Sequence, residues 1–545
     1  MAKTQIQLGS YLSTIAHLLS QRSLLIFLSG LLMGLAPAPL NAWPLAFLAL
    51  VPLWVVLLSS ASHAATSQTQ SRFLLWRYPL LWGLGYHGLA LSWITYLHPL
   101  TWMGIPWIGS LAIALFAWGF ITLWGAALVM IWFGGLRWLY FGSKSLPMAA
   151  WFRILAATAL WCSLETVWSW GPLYWTSLSY TQSPGNLALL HLGQLSGQFT
   201  VTAVIVAFNG CLAEAWVSRR QASSSQPRLL ILAATGLMLT SYLVGYGLKW
   251  SAPADNPQQL IRAGLIQGNV PTRIKLTPAG ERQAIAGYTQ GYLNLVNQGV
   301  DLVITPEGAL PLIWRQPVPS QNPLYQAVLQ RQVPLWLGTF AIAENSNPVQ
   351  LTQSLLAIDG SGKTVGRYNK VKLVPLGEYI PFESILGRLI QRLSSLEGSL
   401  KPGDNQQRFN TSFGPVAVGI CYESAYGEIF RHQVAGGGQL LVMVSNNDPY
   451  PPYMMAQDHA QDVMRAIETD RWAIRVTNTG LSGIVDAHGH TLWLSEPNRY
   501  MLHAASVYRR RSQTLYVRWG NWLTPALLLA ATLCWVQQRF SLPTR

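Results

Sequence analysis

The sequence predicts a polytopic α-helical membrane domain of about eight transmembrane helices, carrying one extracytoplasmic α/β domain. Three observations lead there. The 545 residues are 51% hydrophobic and only 10% charged, too apolar for a large soluble protein. Apolar segments recur that approach the roughly 20 residues needed to cross a bilayer. One long polar stretch, 251–518, interrupts them before the last. The expected division is a membrane domain over 1–250, a catalytic insert over 251–518, and a final helix with its tail over 519–545.

Taken in order, 1–22 is a polar, amphipathic lead-in, and the candidate spans are 23–40, 44–60, 73–97, 105–133, 154–170, 199–217, 229–248 and 519–536. The first apolar stretch runs on into further spans, so it is expected to be an uncleaved helix. Arg72, Arg77, Arg137, Lys144, Arg153, Arg219, Arg220, Arg228, Arg539 and Arg545 all fall on the side of the N-terminus. The opposite loops, 41–42, 98–104 and 171–198, hold no Lys or Arg. That asymmetry places both termini in the cytoplasm and the insert in the periplasm of a Gram-negative envelope, with the chain multi-pass in the inner membrane. Arg509-Arg510-Arg511 falls on the outer side and is expected to meet anionic headgroups. The net charge of +15 is spread over loops, without a basic run interleaved with aromatics, so no nucleic-acid partner is expected.

Within the spans, Glu165 is a functional candidate by its depth or else a helix-packing hydrogen-bond acceptor; the sequence leaves both open. Trp168, Trp170, Tyr174, Trp175 and Tyr180 suggest an interfacial belt, or the lining of a lipid entrance. The insert is long enough for one α/β domain. Strands are expected at 260–267, 301–305, 334–340, 354–358, 416–420, 440–445 and 473–477, and helices at 279–297, 320–332, 424–435 and 456–469. Asp359-Gly360 and 486–489 have hairpin-turn composition.

Chemistry concentrates at three strand ends. The run Val416-Ala417-Val418-Gly419-Ile420 delivers Cys421, followed by Tyr422 and Glu423. The cysteines Cys162, Cys211, Cys421 and Cys534 are far apart, with no CxxC pair and no zinc spacing, so neither a metal nor a disulfide framework is expected. Cys421 alone would pass for a buried structural thiol. Two acid/base clusters upstream argue otherwise, because a nucleophilic thiol needs a base and a nearby cation. One is Thr305-Pro306-Glu307; the other is Tyr368-Asn369-Lys370, with Glu378 eight residues after the lysine.

The ordered set Glu307, Lys370, Cys421 resembles the catalytic triad of the nitrilase superfamily. With membrane segments on both sides of the domain, the resemblance narrows to the apolipoprotein N-acyltransferases and covers nearly the whole chain. Gln267-Gly268-Asn269-Val270-Pro271, Val444-Ser445-Asn446-Asn447-Asp448 and Met464-Arg465-Ala466-Ile467-Glu468 share in it. It implies an α-β-β-α sandwich in which Cys421 is the acylated nucleophile, Glu307 the general base and Lys370 the oxyanion partner. Glu378, Tyr422, Glu423 and Asn446 are implied as supporting residues. It further implies a phospholipid acyl donor, a diacylglyceryl-modified lipoprotein acceptor, no cofactor and a monomer. A membrane-tethered amidase with the same three residues is the alternative. A transporter is disfavoured, because Glu165 and Glu214 are the evident acids within the spans.

Three positions depart from the family pattern. Asn369 stands where the family has Asp, which is expected to alter the electrostatics beside Lys370. The stretch 449–455, Pro-rich and aromatic, is expected to be a stiff lid loop. Leu276 stands where a tryptophan is common.

Overall fold

The computed structural model describes residues 21–63, 75–141, 149–219, 225–314, 322–344, 349–375, 377–379, 399–448 and 450–540. The lead-in 1–20, the basic residues Arg72, Lys144, Arg220 and Arg545, positions 320 and 321 of the expected 320–332 helix, and Pro449 lie outside them.

Helices occupy every expected span: α1 (Gln21–Leu35), α2 (Val51–His63), α3 (Arg77–Ala90), α4 (Trp107–Phe141), α5 (Ala150–Trp170), α6 (Gln198–Ser218) and α7 (Gln226–Ser251). Among the described residues, Trp107–Tyr140, Gln198–Ser218 and Gln226–Ser251 are long and apolar enough to cross a membrane. Close backbone approach sets the packing of α1 on α3. A Cβ on Gly30 would lie 2.2 Å from the Trp82 carbonyl oxygen, and one on Gly85 would lie 2.6 Å from that of Phe27. Only glycine permits such contact between helices. Trp54, Trp82, Trp132 and Trp161 fill the bundle core edge to face. Glu214 is buried and paired with Arg153, whose Nε lies 2.7 Å from Oε1.

Glu165 is fully buried and accepts four hydrogen bonds, from Trp161 Nε1, the Leu178 amide, Ser177 Oγ and Thr202 Oγ1, at 2.8–3.0 Å. Its acceptor capacity is taken up in tying α5 and α6 to the 171–198 segment. That segment is not a lipid-facing belt throughout. Tyr174, Trp175 and Tyr180 are buried against the α/β domain, Trp168 packs on Trp124 at 5.2 Å, and Trp170 alone of the five is largely exposed.

The α/β domain begins directly after α7. Its strands are β1 (Leu260–Gln267), β2 (Leu302–Ile304), β3 (Ile313–Trp314), β4 (Leu335–Ile342), β5 (Leu351–Ile358), β6 (Thr364–Asn369), β7 (Phe409–Thr411), β8 (Gly414–Ile420), β9 (Leu441–Ser445), β10 (Ala473–Thr477), β11 (Gly483–Val485), β12 (Thr491–Leu494) and β13 (Met501–Tyr508). One sheet runs β13-β1-β2-β4-β5-β6, with β3 beside β4; the other runs β12-β11-β10-β9-β8-β7. The neighbours β1-β2-β4 and β8-β9-β10 are parallel and largely buried on both faces, as doubly covered strands are. The sheets face each other through Leu265, Ile304, Trp336 and Leu355 on one side and Val418, Ile420, Val442 and Ile474 on the other.

Helices cover the outer faces. On the first sheet lie α8 (Pro278–Asn297) and α9 (Pro323–Arg331). Each starts with a proline behind a side-chain cap, Thr277 to the Gly280 amide and Asn322 to the Tyr325 amide. On the second sheet lie α10 (Gly427–Ala435) and α11 (Pro452–Thr469). A last helix, α12 (Leu523–Phe540), returns to the bundle beside α5.

The layer of α10 and α11 lies between sheet and bundle. One buried cluster runs from Ala417 and Met443 of the sheet, through Phe430, Met464 and Ile467, to Leu189, Leu192 and the bundle helices. Polar clasps cross the same boundary. Tyr180 Oη donates to the Ala425 carbonyl at 2.8 Å, Arg465 to Gln198 at 3.0 Å, and Trp175 Nε1 to Gln457 at 2.8 Å. The expectation for Arg509-Arg510-Arg511 fails for Arg510. Arg509 donates to the Phe413 carbonyl, and Arg510 is buried between Asp255 and Asp470, where it closes the entry and exit of the domain.

Candidate active site

The site forms where the carboxyl ends of strands from both sheets converge, the rim at which α/β folds place their ligands. Glu307 follows β2 by three residues, Lys370 follows β6 directly, Cys421 follows β8 directly and Asn446 follows β9. Glu307 and Lys370 are buried, while Cys421 is half-buried.

Lys370 is the hub. Its Nζ lies 3.0 Å from Glu307 Oε1 and 2.6 Å from Glu378 Oε1. Backbone bonds on both sides hold it: its amide donates to the Gln353 carbonyl at 2.8 Å, and its carbonyl accepts from Gly403 at 2.7 Å. The second oxygen of each carboxylate is also fixed. Glu307 Oε2 accepts from the Asn446 amide at 2.9 Å, and Glu378 Oε2 from the Val374 amide at 2.8 Å. The Asn446 side chain bonds Thr272 and Asn478, so its amide is held toward Glu307.

Cys421 opens a short 3₁₀ turn, Cys421–Ala425, with φ +60°. A non-glycine residue in the left-handed region carries strain, of order 1 kcal/mol or more, so the surroundings must hold it there. Glu423 does so. It is fully buried; Oε2 accepts from the Ile420 amide at 2.7 Å and Tyr368 Oη at 3.0 Å, and Oε1 from the Val371 and Lys372 amides at 2.6 and 2.8 Å. One carboxylate thereby staples the cysteine turn to the segment after Lys370. Tyr422 Oη donates to the Leu373 carbonyl at 2.8 Å, and its ring centroid lies 5.9 Å from Lys370 Nζ.

Burial pushes the Cys421 thiol well above its ordinary value; Lys370 pulls it down, while Glu307, Glu378 and Asp458 push it further up. Burial opposes the Lys370 charge, yet the Cys421 sulfur, Glu307 and Glu378 together hold the ammonium well above its usual range. Burial raises Glu378 despite Lys370, and raises Glu423 to about 7 against the pull of its donors. The resting arrangement is therefore a neutral thiol beside a charged lysine. Such a thiol needs a proton acceptor to become a nucleophile.

Asn369 does not act as expected. Its side chain lies on the other face of β6 and accepts from Ser354 at 2.7 Å, Thr352 at 3.1 Å and Arg367 at 2.7 Å. The charge missing from this position is missing beside Arg367, not beside Lys370. The 449–455 stretch is also only partly a loop: Pro451 caps α11 and Pro452 begins it, so the prolines start a helix. Tyr450 packs on Trp93 at 5.1 Å and Tyr453 on Tyr96 at 5.8 Å, both edge to face, and Met454 is buried in the same aromatic cluster. Tyr450 is near enough to Cys421, Lys370, Glu378 and Glu307 to feel their charges.

Sequence reasoning missed the layer beneath Cys421. Arg475 of β10 is buried, ion-paired with Asp458 and Asp462 of α11, and donates to Ser424 and Ser445. The i, i+4 spacing of the two aspartates marks them as neighbours on one helix face, a signal available in advance. Lys275, buried beside Glu307, was also missed.

A two-sheet sandwich with helices outside, and with Glu, Lys and Cys at adjoining strand ends, defines a carbon–nitrogen hydrolase type of domain, here joined to a helical bundle. Residues 262–498 match the carbon-nitrogen hydrolase family, and residues 29–211 match the apolipoprotein N-acyltransferase N-terminal domain. The apolipoprotein N-acyltransferase of Nostoc sp. is 50% identical over 503 residues, 92% of this chain and 97% of its own length. That of Synechocystis sp. is 44% identical over 93% of this chain and 98% of its own, and that of Azotobacter vinelandii 29% identical over 92% of each. The chain belongs to the apolipoprotein N-acyltransferase family. Among solved structures, Saccharomyces cerevisiae Nit3 is 16% identical, covering 53% of this chain and 96% of its own at a TM-score of 0.35.

Proposed function

We propose that this protein is an N-acyltransferase that moves a fatty acyl chain from a membrane phospholipid to the N-terminal amine of a diacylglyceryl-modified lipoprotein, through a thioester on Cys421. The observation that carries the reading is the Cys421 turn, set at the strand rim beside a lysine that bridges two carboxylates, in a chain of this family.

Glu307 takes the thiol proton as the sulfur attacks the acyl ester carbonyl. Two Lys370 donors are spent on carboxylates, which leaves the third for the oxygen of the tetrahedral intermediate. The intermediate collapses to the thioester. Glu307 returns the proton to the departing lysophospholipid oxygen. The acceptor amine then attacks the thioester and loses a proton to Glu307. An amide forms, and the sulfur leaves and is reprotonated. Glu378 holds Lys370, Glu423 and Tyr422 hold the turn, and the Asn446 amide orients Glu307.

The acyl chains explain the membrane bundle, since exposing them to water costs about 0.8 kcal/mol per CH₂. In this reading about eight helices span the inner membrane, 1–250 and 519–545 form the membrane part, and 251–518 is the periplasmic catalytic domain. Both termini are cytoplasmic and the unit is a monomer. The aromatic cluster around Trp93, Tyr450 and Met454 supports a site at headgroup level.

The test is intact-mass measurement of purified protein given phospholipid alone. Wild type gains the mass of one acyl group and Cys421→Ala gains none. Turnover of a small amide, with no stable acyl adduct, would favour an amidase instead.

A further inference from the structure

Lys275 ends the short helical turn Thr272–Lys275 after β1, and its side chain is buried. Its Nζ donates to the main-chain carbonyl of Glu307 at 3.1 Å. A Cβ placed on Gly308 would come within 3.2 Å of that nitrogen, so the ammonium is packed directly on the Glu307–Gly308 peptide. The same short turn is anchored to the site from two sides: the Thr272 amide donates to Asp448 at 2.7 Å, and Thr272 Oγ1 accepts from the Asn446 side chain at 3.0 Å.

Glu307 therefore stands between two buried ammonium groups with different attachments. Lys370 binds its carboxylate, and Lys275 binds its backbone. The charged neighbours of Lys275 are Glu307 and Asp448. Besides the two lysines, Glu307 faces Cys421, Glu378, Asp458 and the Tyr450 phenol. Two of these groups, Glu378 and Asp458, are carboxyl groups like Glu307 itself, so a second buried cation offsets like charge gathered at one place.

We propose that Lys275 is a positioning residue for acyl transfer: its charge offsets the acidic groups gathered around Glu307 and its hydrogen bond fixes the peptide from which Glu307 reaches the thiol. Burial lowers Lys275 to about 8, with Glu307 and Asp448 opposing the shift, so the ammonium keeps its charge through neutral pH. The inference rests on Glu307 being the base.

The sign follows from charge. Removing the Lys275 cation leaves the acidic groups of the site with less opposing charge, so the acid limb of the rate profile moves to higher pH. A side chain that merely filled space would lower the rate without moving the limb. The experiment follows thioester formation by intact mass, with full-length protein in detergent micelles containing equimolar phosphatidylethanolamine and phosphatidylglycerol, from pH 5 to 9. For Lys275→Met we expect the acid limb about one pH unit above wild type, with the plateau rate lowered at least about tenfold. Lys275→Arg keeps the charge and is expected to keep the limb. Limb position does not depend on how much enzyme is folded, and Lys275→Gln gives the same reading if the Met variant is not recovered. An unmoved limb in the neutral variants overturns this inference while leaving the acyl-transfer reading intact. Wild type that forms no thioester overturns the acyl-transfer reading itself.

Discussion

Replacing Glu423 with Gln changes one atom in a buried group that accepts four hydrogen bonds. The amide oxygen can keep the Val371 and Lys372 donors. Its NH₂ then faces the Ile420 amide, which cannot turn, and the Tyr368 hydroxyl, which can. One buried N–H is left unpaired, at about 1–3 kcal/mol, and the retained bonds lose charge assistance worth about 1 kcal/mol each. The total is about 4 kcal/mol. If half of it is felt as loss of the strained Cys421 conformation, thioester formation slows about thirtyfold. Tyr368→Phe removes only the bond that can rotate away, and should cost threefold or less. Both rates come from intact-mass time courses with phospholipid. A Gln variant within threefold of wild type would refute the claim that Glu423 holds the Cys421 turn.

Other expectations follow from single contacts. Glu165→Gln should be tolerated at about 1 kcal/mol, because Ser177 and Thr202 can rotate to accept from the new NH₂; Glu165→Ala strands four donors and should cut the yield of monodisperse protein on size exclusion. Tyr450→Asp adds a carboxylate beside Glu307 and Glu378 and removes the packing on Trp93, so thioester formation should fall at least about tenfold, whereas Tyr450→Phe should stay near wild type. Gly30→Ala places a methyl 2.2 Å from the Trp82 carbonyl oxygen, which must part α1 from α3; a clear drop in thermal midpoint is expected, and an unchanged midpoint would contradict the packing described.

The sheet core was legible in the sequence because parallel, doubly buried strands leave continuous apolar runs; β1, β2, β4, β8, β9 and β10 all fall close to where those runs lie. Cys421 was legible for the same reason, standing directly after such a run, whereas Glu307, three residues past β2, and Lys370, after the polar strand β6, were picked out by their order and local sequence. Short or edge strands left no such trace. The two residues of β3, the three of β7 and the largely exposed β12 are set by their partners rather than by local pattern. The 171–198 segment misled because Trp and Tyr suit a lipid interface and a protein interface equally well. Only the fold assigns Tyr174 and Tyr180: the Tyr174 hydroxyl accepts from Gln198 Nε2, and the Tyr180 hydroxyl donates to Gln198 Oε1 and the Ala425 carbonyl. Asn369 misled because adjacency to Lys370 in sequence is opposition across a strand.

The burial of α11 has a consequence for how this molecule can be taken apart. Nearly every one of its side chains is enclosed, by sheet on one flank and by the bundle on the other. Severed from the bundle, the 251–518 fragment would present Met464, Ile467 and the Arg465–Glu468 pair to solvent, and should clump rather than survive as a soluble hydrolase. The α/β half is thus no passenger on the bundle, since neither half carries a finished surface of its own.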